Sequence, residues 1–229
     1  VTCGGLCPGL NNVVRSLFLE LHLNYGVPEI LGIRNGYQGL NPAVGQPPIP
    51  LSMQLVSDIH KDGGTILGSS RGNQDVSDMV DTLERMNVGI LFAIGGDGTL
   101  RGAHAIAEEI GRRGLKIGVI GVPKTIDNDI SYVERSFGFE TAVSEAATAI
   151  YSAHAEAEGA RNGIGLVKLM GRESGWLVYN THGFDSEGWG PISPAYLRRL
   201  YVRLAKPDSG VKVVPLFTVF QTPPLRVPT

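Results

Sequence analysis

The chain has 229 residues, 42% of them hydrophobic and 18% charged, which is enough apolar material for one large domain or two modest ones and argues against disorder. A formal net charge of −2 excludes a diffuse electrostatic grip on nucleic acid or an anionic membrane, so neither is expected as a partner and any basic site must be local. No apolar run reaches the about 18 residues that a membrane span needs, and Cys3 and Cys7 make neither a disulfide framework nor a four-ligand zinc site.

Val1 rather than Met begins the chain, and a glycine motif follows almost at once, so a fragment with a strand upstream is expected. Gly4-Gly5-Leu6-Cys7-Pro8-Gly9 opens a helix over 11–23, where Val13, Val14, Leu17 and Leu21 recur at helical spacing. A short buried strand is expected over 28–33 and a surface connection, rich in glycine and proline, over 36–50. Asp75 is placed to cap a helix holding Val76, Met79, Val80, Leu83 and Met86. The apolar run 88–94 reads as a parallel strand covered on both faces, followed by a glycine turn and a helix over 100–112. Strand 117–122, polar loop 123–129 and a long helix over 140–156 complete the alternation, with a further strand over 164–169. From 176 the sequence is proline-rich and weakly periodic, with only 211–220 resembling a strand, so a boundary is expected near Gly175. The alternation predicts an α/β, Rossmann-like doubly wound parallel sheet with its second domain incomplete, binding ligands at the carboxyl ends of the strands.

Three loops at such ends carry the chemistry. Gly4, Gly5 and Gly9 suit backbone contact with phosphate oxygens beside a helix amino end, and equally suit a plain tight turn. Gly95-Gly96-Asp97-Gly98-Thr99 joins an anion-cradling backbone to one carboxylate suited to Mg²⁺, although a carboxylate there also makes a good helix cap. Lys124-Thr125-Ile126-Asp127-Asn128-Asp129 offers a base for an attacking alcohol beside a hydroxyl and an ammonium, or an Asx-rich turn.

The ordered set GGLCPGLN, LGSSRG, GGDGTLRGA, PKTIDND and MGR, running from Gly4 to Arg172, resembles the phosphofructokinase family over about three quarters of the chain. The resemblance implies transfer of the ATP γ-phosphoryl group to the 1-hydroxyl of fructose 6-phosphate, with Mg²⁺, as an early step of glycolysis. It implies Asp127 as general base, with Thr125 near the transferring phosphoryl and Asp129 supporting metal and base. It further implies Asp97 as the Mg²⁺ ligand, and Gly5, Arg71, Gly72, Gly96, Asp97, Gly98 and Thr99 around ATP. Arg71 suits charge stabilisation in a loose transition state. Thr125, Ile126 and Asp127 with Met170, Gly171 and Arg172 would contact the sugar phosphate. Gly98 and Lys124 bear on the donor: pyrophosphate-using members typically carry aspartate at the first position and lysine at the second, and bacterial ATP-using members glycine at both. Gly98 with Lys124 resembles the ATP-using enzymes of plants and trypanosomatids, since a carboxylate at 98 would crowd and repel the α-phosphate.

Two departures are visible. Gly163 stands where bacterial members have an arginine, and no family pattern is recognisable from Trp176 to Thr229. The expected organisation is a nucleotide-binding domain over 1–137, the start of a sugar-phosphate domain over 138–175, and a divergent tail over 176–229. The alternatives are a pyrophosphate-dependent enzyme and an inactive nucleotide-binding isoform acting by association. A homo-oligomer is expected, by likeness to tetrameric full-length relatives. The expected location is cytoplasmic, with plastid or glycosome left open because the N-terminus is expected to be missing.

Overall fold

Parallel strand pairing organises the first part of the chain. In the computed structural model, which describes residues 1–159 and Val167, β3 (Ile90–Gly95) pairs in parallel with β4 (Gly118–Pro123), from Ile90 opposite Gly118 to Gly95 opposite Pro123. On the other edge of β3 the opening residues run parallel to it: Ile94 donates to Val1 O and Cys3 N–H donates to Ile94 O, both at 2.9 Å. The described residues belong to two compact units, Val1–Gly138 and a second from Phe139.

Side chains alternate along β3, so one strand feeds two cores. Leu91 and Ala93 pack with Met79, Val80 and Leu83 of α3 (Val76–Arg85) and with Ala103, Ile106 and Ile110 of α4 (Asp97–Arg113). Ile94 packs on the opposite face with Leu10, Val14 and Phe18 of α1 (Leu10–Leu19). Leu83 and Ile106 are fully buried, and each such side chain contributes about 1.5–3 kcal/mol of hydrophobic stabilisation. A parallel pair with helices on both faces is the doubly wound arrangement that the sequence predicts.

The helices begin and end for local reasons. Asp75 caps α3 by accepting from Asp78 N–H at 3.1 Å, as expected. Helix α4 ends at Gly114, whose φ of 67° is the left-handed cap that glycine adopts without steric cost. Its last turn is tied to α3 by Arg113, which pairs with Asp81 and with Ser77. Helix α1 passes at Glu20 into a wider π turn ending at Asn24.

The segment 36–50 is not a plain surface connection. Gly36–Leu40 forms a 3₁₀ turn in which Tyr37 and Leu40, three residues apart and so on one side, enter the core beside α3 and α4. Expected strand 28–33 is reduced to β1 (Leu31–Gly32), antiparallel to β2 (Ile49–Pro50) and outside the parallel sheet. A short apolar run signals burial without naming its pairing partner. Between β2 and α3 lie two short helical turns, α2 (Met53–Val56), capped by Ser52, and a 3₁₀ turn at Ile59–Lys61.

In the second unit, α5 (Phe139–Glu158) buries Phe139 and Ala146, with Ala142, Val143, Ile150 and Val167 packed against them. Apart from Val167, the expected strand 164–169 lies outside the described residues, as do Met170, Gly171, Arg172 and the segment from 176.

Candidate active site

β3, β4 and the opening residues bridged to β3 through Thr2 all end at one edge of the sheet, and each continues into one of the polar loops, so topology alone gathers them. Lys124 joins all three. Its N–H donates to Gly95 O at 2.9 Å, its own carbonyl oxygen stands 3.3 Å from where a Cβ on Gly96 would lie, and its Nζ donates to Gly5 O at 2.6 Å. The side chain is buried. Burial pulls its ammonium below the usual lysine range and Arg71 adds to this, whereas Cys7, Cys3 and Asp127 favour the charge.

The glycine loop is held from its other side by residues 62–70. Gly4 N–H donates to Ser70 O at 3.0 Å and Ser69 Oγ donates to Gly4 O at 2.6 Å. Fully buried Asn11 fastens the same stretch to α1, donating to Asp62 O and accepting from Ile66 N–H. This stitching delivers Arg71 to the loop: its guanidinium nitrogen is 3.0 Å from where a Gly5 Cβ would stand, so a larger residue at position 5 would displace it. Arg71 and Gly72 are exposed.

At the amino end of α4 the cap position belongs to Gly96, with no side-chain capping bond. Asp97 sits exposed in the first turn, so its carboxylate is not used as the helix cap that the sequence left open. The N–H groups of Asp97 and Gly98 precede the first possible intrahelical bonds and face the positive end of the helix dipole. A Cβ on Gly98 would meet nothing within 4 Å. Protein packing therefore does not demand glycine there. Thr99 is different: it is buried, with its side chain against Gly95, and its N–H already donates to Gly96 O. Tyr37 locks this turn from beneath, donating its hydroxyl to Thr99 O at 2.7 Å.

The third loop is wound on itself. Thr125 Oγ1 donates to Asp129 Oδ1 at 2.7 Å and accepts from Asp127 N–H at 3.1 Å. Thr125 and Asp127 are buried, Ile126 is half-buried and Asp129 is exposed. Asn128 adopts a φ of 53°, a conformation that Asn tolerates better than most residues, and its side chain reaches across to Glu134 and Ser136. Ser136 was not noted from the sequence, and Cys7 was weighed there only as a disulfide or zinc candidate. Their contacts span 11 and 130 residues, beyond any local pattern.

These residues fit a bound polyphosphate. A half-buried glycine loop with a lysine and an arginine beside it, and the amino end of α4, form a set suited to an anion, with space above Gly98 that a side chain would fill. Asp97 is available to a magnesium ion, which typically takes one or two carboxylates plus phosphate oxygens rather than an all-protein cage. A separate cavity of about 470 Å³ lies toward the amino ends of the strands, lined by Val27, Ile30, Val88 and Ile90 among others. Its wall is mainly apolar, with Glu29 and Asn87 as the polar side chains along it, and it lies away from the three loops.

Fold and loops together place the protein in the doubly wound α/β class, with loops suited to phosphate and the buried carboxylate of Asp127 three residues from Lys124. The phosphofructokinase family pattern matches residues 1–182, and the chain belongs to that family. An ATP-dependent 6-phosphofructokinase of Borreliella burgdorferi is 57% identical over 180 residues, covering 79% of this chain and 40% of the relative. One from Entamoeba histolytica is 47% identical over 215 residues, covering 94% of this chain and 44% of the relative. The chain thus spans about two fifths of the length of the curated relatives it matches. Among solved structures, a pyrophosphate-dependent phosphofructokinase from Nitrosospira multiformis superposes with a TM-score of 0.68 at 20% identity, over 81% of this chain and 49% of that one. At that identity the likeness is one of fold. Among the described residues no helix is long and apolar enough to cross a membrane.

Proposed function

We propose that this chain carries the donor site and base of an ATP-dependent 6-phosphofructokinase, which phosphorylates the 1-hydroxyl of fructose 6-phosphate. The observation that carries the reading is Lys124, which touches the glycine loop through Nζ and the Gly95–Gly96 turn through its backbone, three residues before buried Asp127. The names of the relatives from Borreliella burgdorferi and Entamoeba histolytica support the substrate pair.

Asp127 takes the proton of the sugar 1-hydroxyl as its oxygen attacks the γ-phosphorus; the new P–O bond forms as the bond to the β-phosphate oxygen breaks, and ADP leaves. Thr125 holds the base loop through its bonds to Asp127 N–H and Asp129. The amino end of α4, Gly5, Arg71 and Gly72 hold the nucleotide phosphates, and Arg71 with Lys124 offsets the negative charge of the transferring group. Magnesium, held by Asp97 and the phosphates, would neutralise charge on the β and γ oxygens. Met170, Gly171 and Arg172 would contact the sugar phosphate. Residues 1–137 form the nucleotide-binding domain, and the whole protein works as a homo-oligomer in the cytoplasm.

Gly98 selects ATP by leaving room beside the α-phosphate. Lys124 favours a second reading, pyrophosphate as donor. The deciding experiment is fructose 1,6-bisphosphate formation with each donor in turn. Turnover with ATP alone supports the proposal; turnover with pyrophosphate alone replaces it with the second reading.

A further inference from the structure

Ser136, Phe137 and Gly138 touch both sides of the candidate site. Ser136 is buried, donates its hydroxyl to Thr125 O at 2.6 Å and donates its N–H to Asn128 Oδ1 at 2.7 Å. Asn128 in turn donates to Glu134 O at 3.0 Å, closing the loop that carries Asp127. One residue further on, Phe137 O accepts from Cys7 Sγ at 3.2 Å, and the Phe137 ring lies 3.3 Å from where a Gly9 Cβ would stand. Gly138 has φ 83°, and a Cβ on it would overlap Pro8 O and come within 2.5 Å of Cys7 Sγ. Three consecutive residues therefore grip the base loop with the first and the glycine loop with the other two.

We propose that Ser136–Gly138 is a clasp fixing the base loop against the phosphate-binding glycine loop, and that Ser136 is a positioning residue for phosphoryl transfer. The functional half rests on the phosphofructokinase reading above. An in-line displacement needs the base-bound hydroxyl and the phosphorus aligned, and a misplacement of about 1 Å can cost about a hundredfold in rate. Asp127 and the phosphate cradle lie on loops from different strands, so a covalently short connection between them sets that distance more tightly than two separate anchors. The contacts run in series: Ser136 to Thr125, whose hydroxyl receives the Asp127 N–H, and Phe137 to Cys7 in the glycine loop.

The test uses Ser136→Ala and Ser136→Thr in the full chain, with two readouts. The first is iodoacetamide labelling of Cys7 without ligand, with Cys3 of the same tryptic peptide as internal reference, separated by tandem mass spectrometry. Cys7 is shielded by the clasp and Cys3 by the other core, so Ser136→Ala should raise Cys7 labelling about five- to tenfold, the opening expected from one lost hydrogen bond, and leave Cys3 unchanged. The second is steady-state kinetics: kcat should fall about ten- to a hundredfold while KM for ATP holds within about twofold, and Ser136→Thr should restore both readouts. Unchanged Cys7 labelling, or Cys3 and Cys7 rising together, overturns the clasp. Loose Cys7 with full kcat overturns the positioning role. Absence of turnover in the unsubstituted chain would sink the phosphofructokinase reading and with it that role, leaving the labelling to decide the clasp alone.

Discussion

Lys124 Nζ donates to Gly5 O across 2.6 Å, so the residue that follows β4 is bonded to the loop that follows the opening residues beside β3. A hydrogen bond from a charged donor contributes about 1.5–3 kcal/mol, and this one is made by an ammonium that burial already disfavours. Lys124→Met keeps the stem and removes the donor. Its KM for ATP should rise about tenfold or more, measured by kinetics or by titration calorimetry with Mg-ATP. Stability to urea at neutral pH should not fall in proportion, because the variant no longer buries a charge. An unchanged ATP affinity would remove Lys124 from the donor site.

Gly98 has open space where its Cβ would be, which separates folding from binding. Gly98→Asp should leave the thermal midpoint within a few degrees and weaken Mg-ATP by about tenfold or more, since a carboxylate within about 4 Å of a phosphate is repelled. A thermal melt and a nucleotide titration on the same sample check both halves. Loss of fold rather than of affinity would show that glycine is there for packing.

Cys7 gives a pH signature. Burial pushes its thiol up from 9.0 to about 11, with Asp127 adding to the rise and Lys124 opposing it. The folded state thus holds the proton longer than the unfolded state, so this contribution is whole below pH 9 and is lost as pH rises through about 11. Stability to urea should decline across that window by about 1–3 kcal/mol, and Cys7→Ala should remove that part of the slope. A slope identical in both proteins would place the cause elsewhere.

Much of the fold was legible because its signals are local. The apolar run leading into Gly95 gave β3, the spacing of Met79, Val80 and Leu83 gave α3, and Asp75 caps as its position suggests. Glycine loops read as following strands pointed to the sheet edge at which the candidate loops meet. What stayed hidden depends on distant partners. Tyr37 sits in a stretch of glycine and proline that reads as a surface connection, yet its ring packs on Gly102 and its hydroxyl meets Thr99 O. Thr99 belongs to the phosphate motif by sequence, but a helix turns its side chain inward, against Gly95. A lone serine such as Ser136 carries no pattern at all, and its place is known only once Thr125 and Asn128 are folded beside it.

The central claim is that Asp127 acts as base in phosphoryl transfer from ATP to fructose 6-phosphate. The most direct measurement compares the chain with Asp127→Asn, following fructose 1,6-bisphosphate formation and Mg-ATP binding side by side. The variant should lose about 10²- to 10⁴-fold in kcat while binding Mg-ATP as the unsubstituted chain does. Equal turnover in the two proteins, or no turnover in the unsubstituted chain, would contradict the claim.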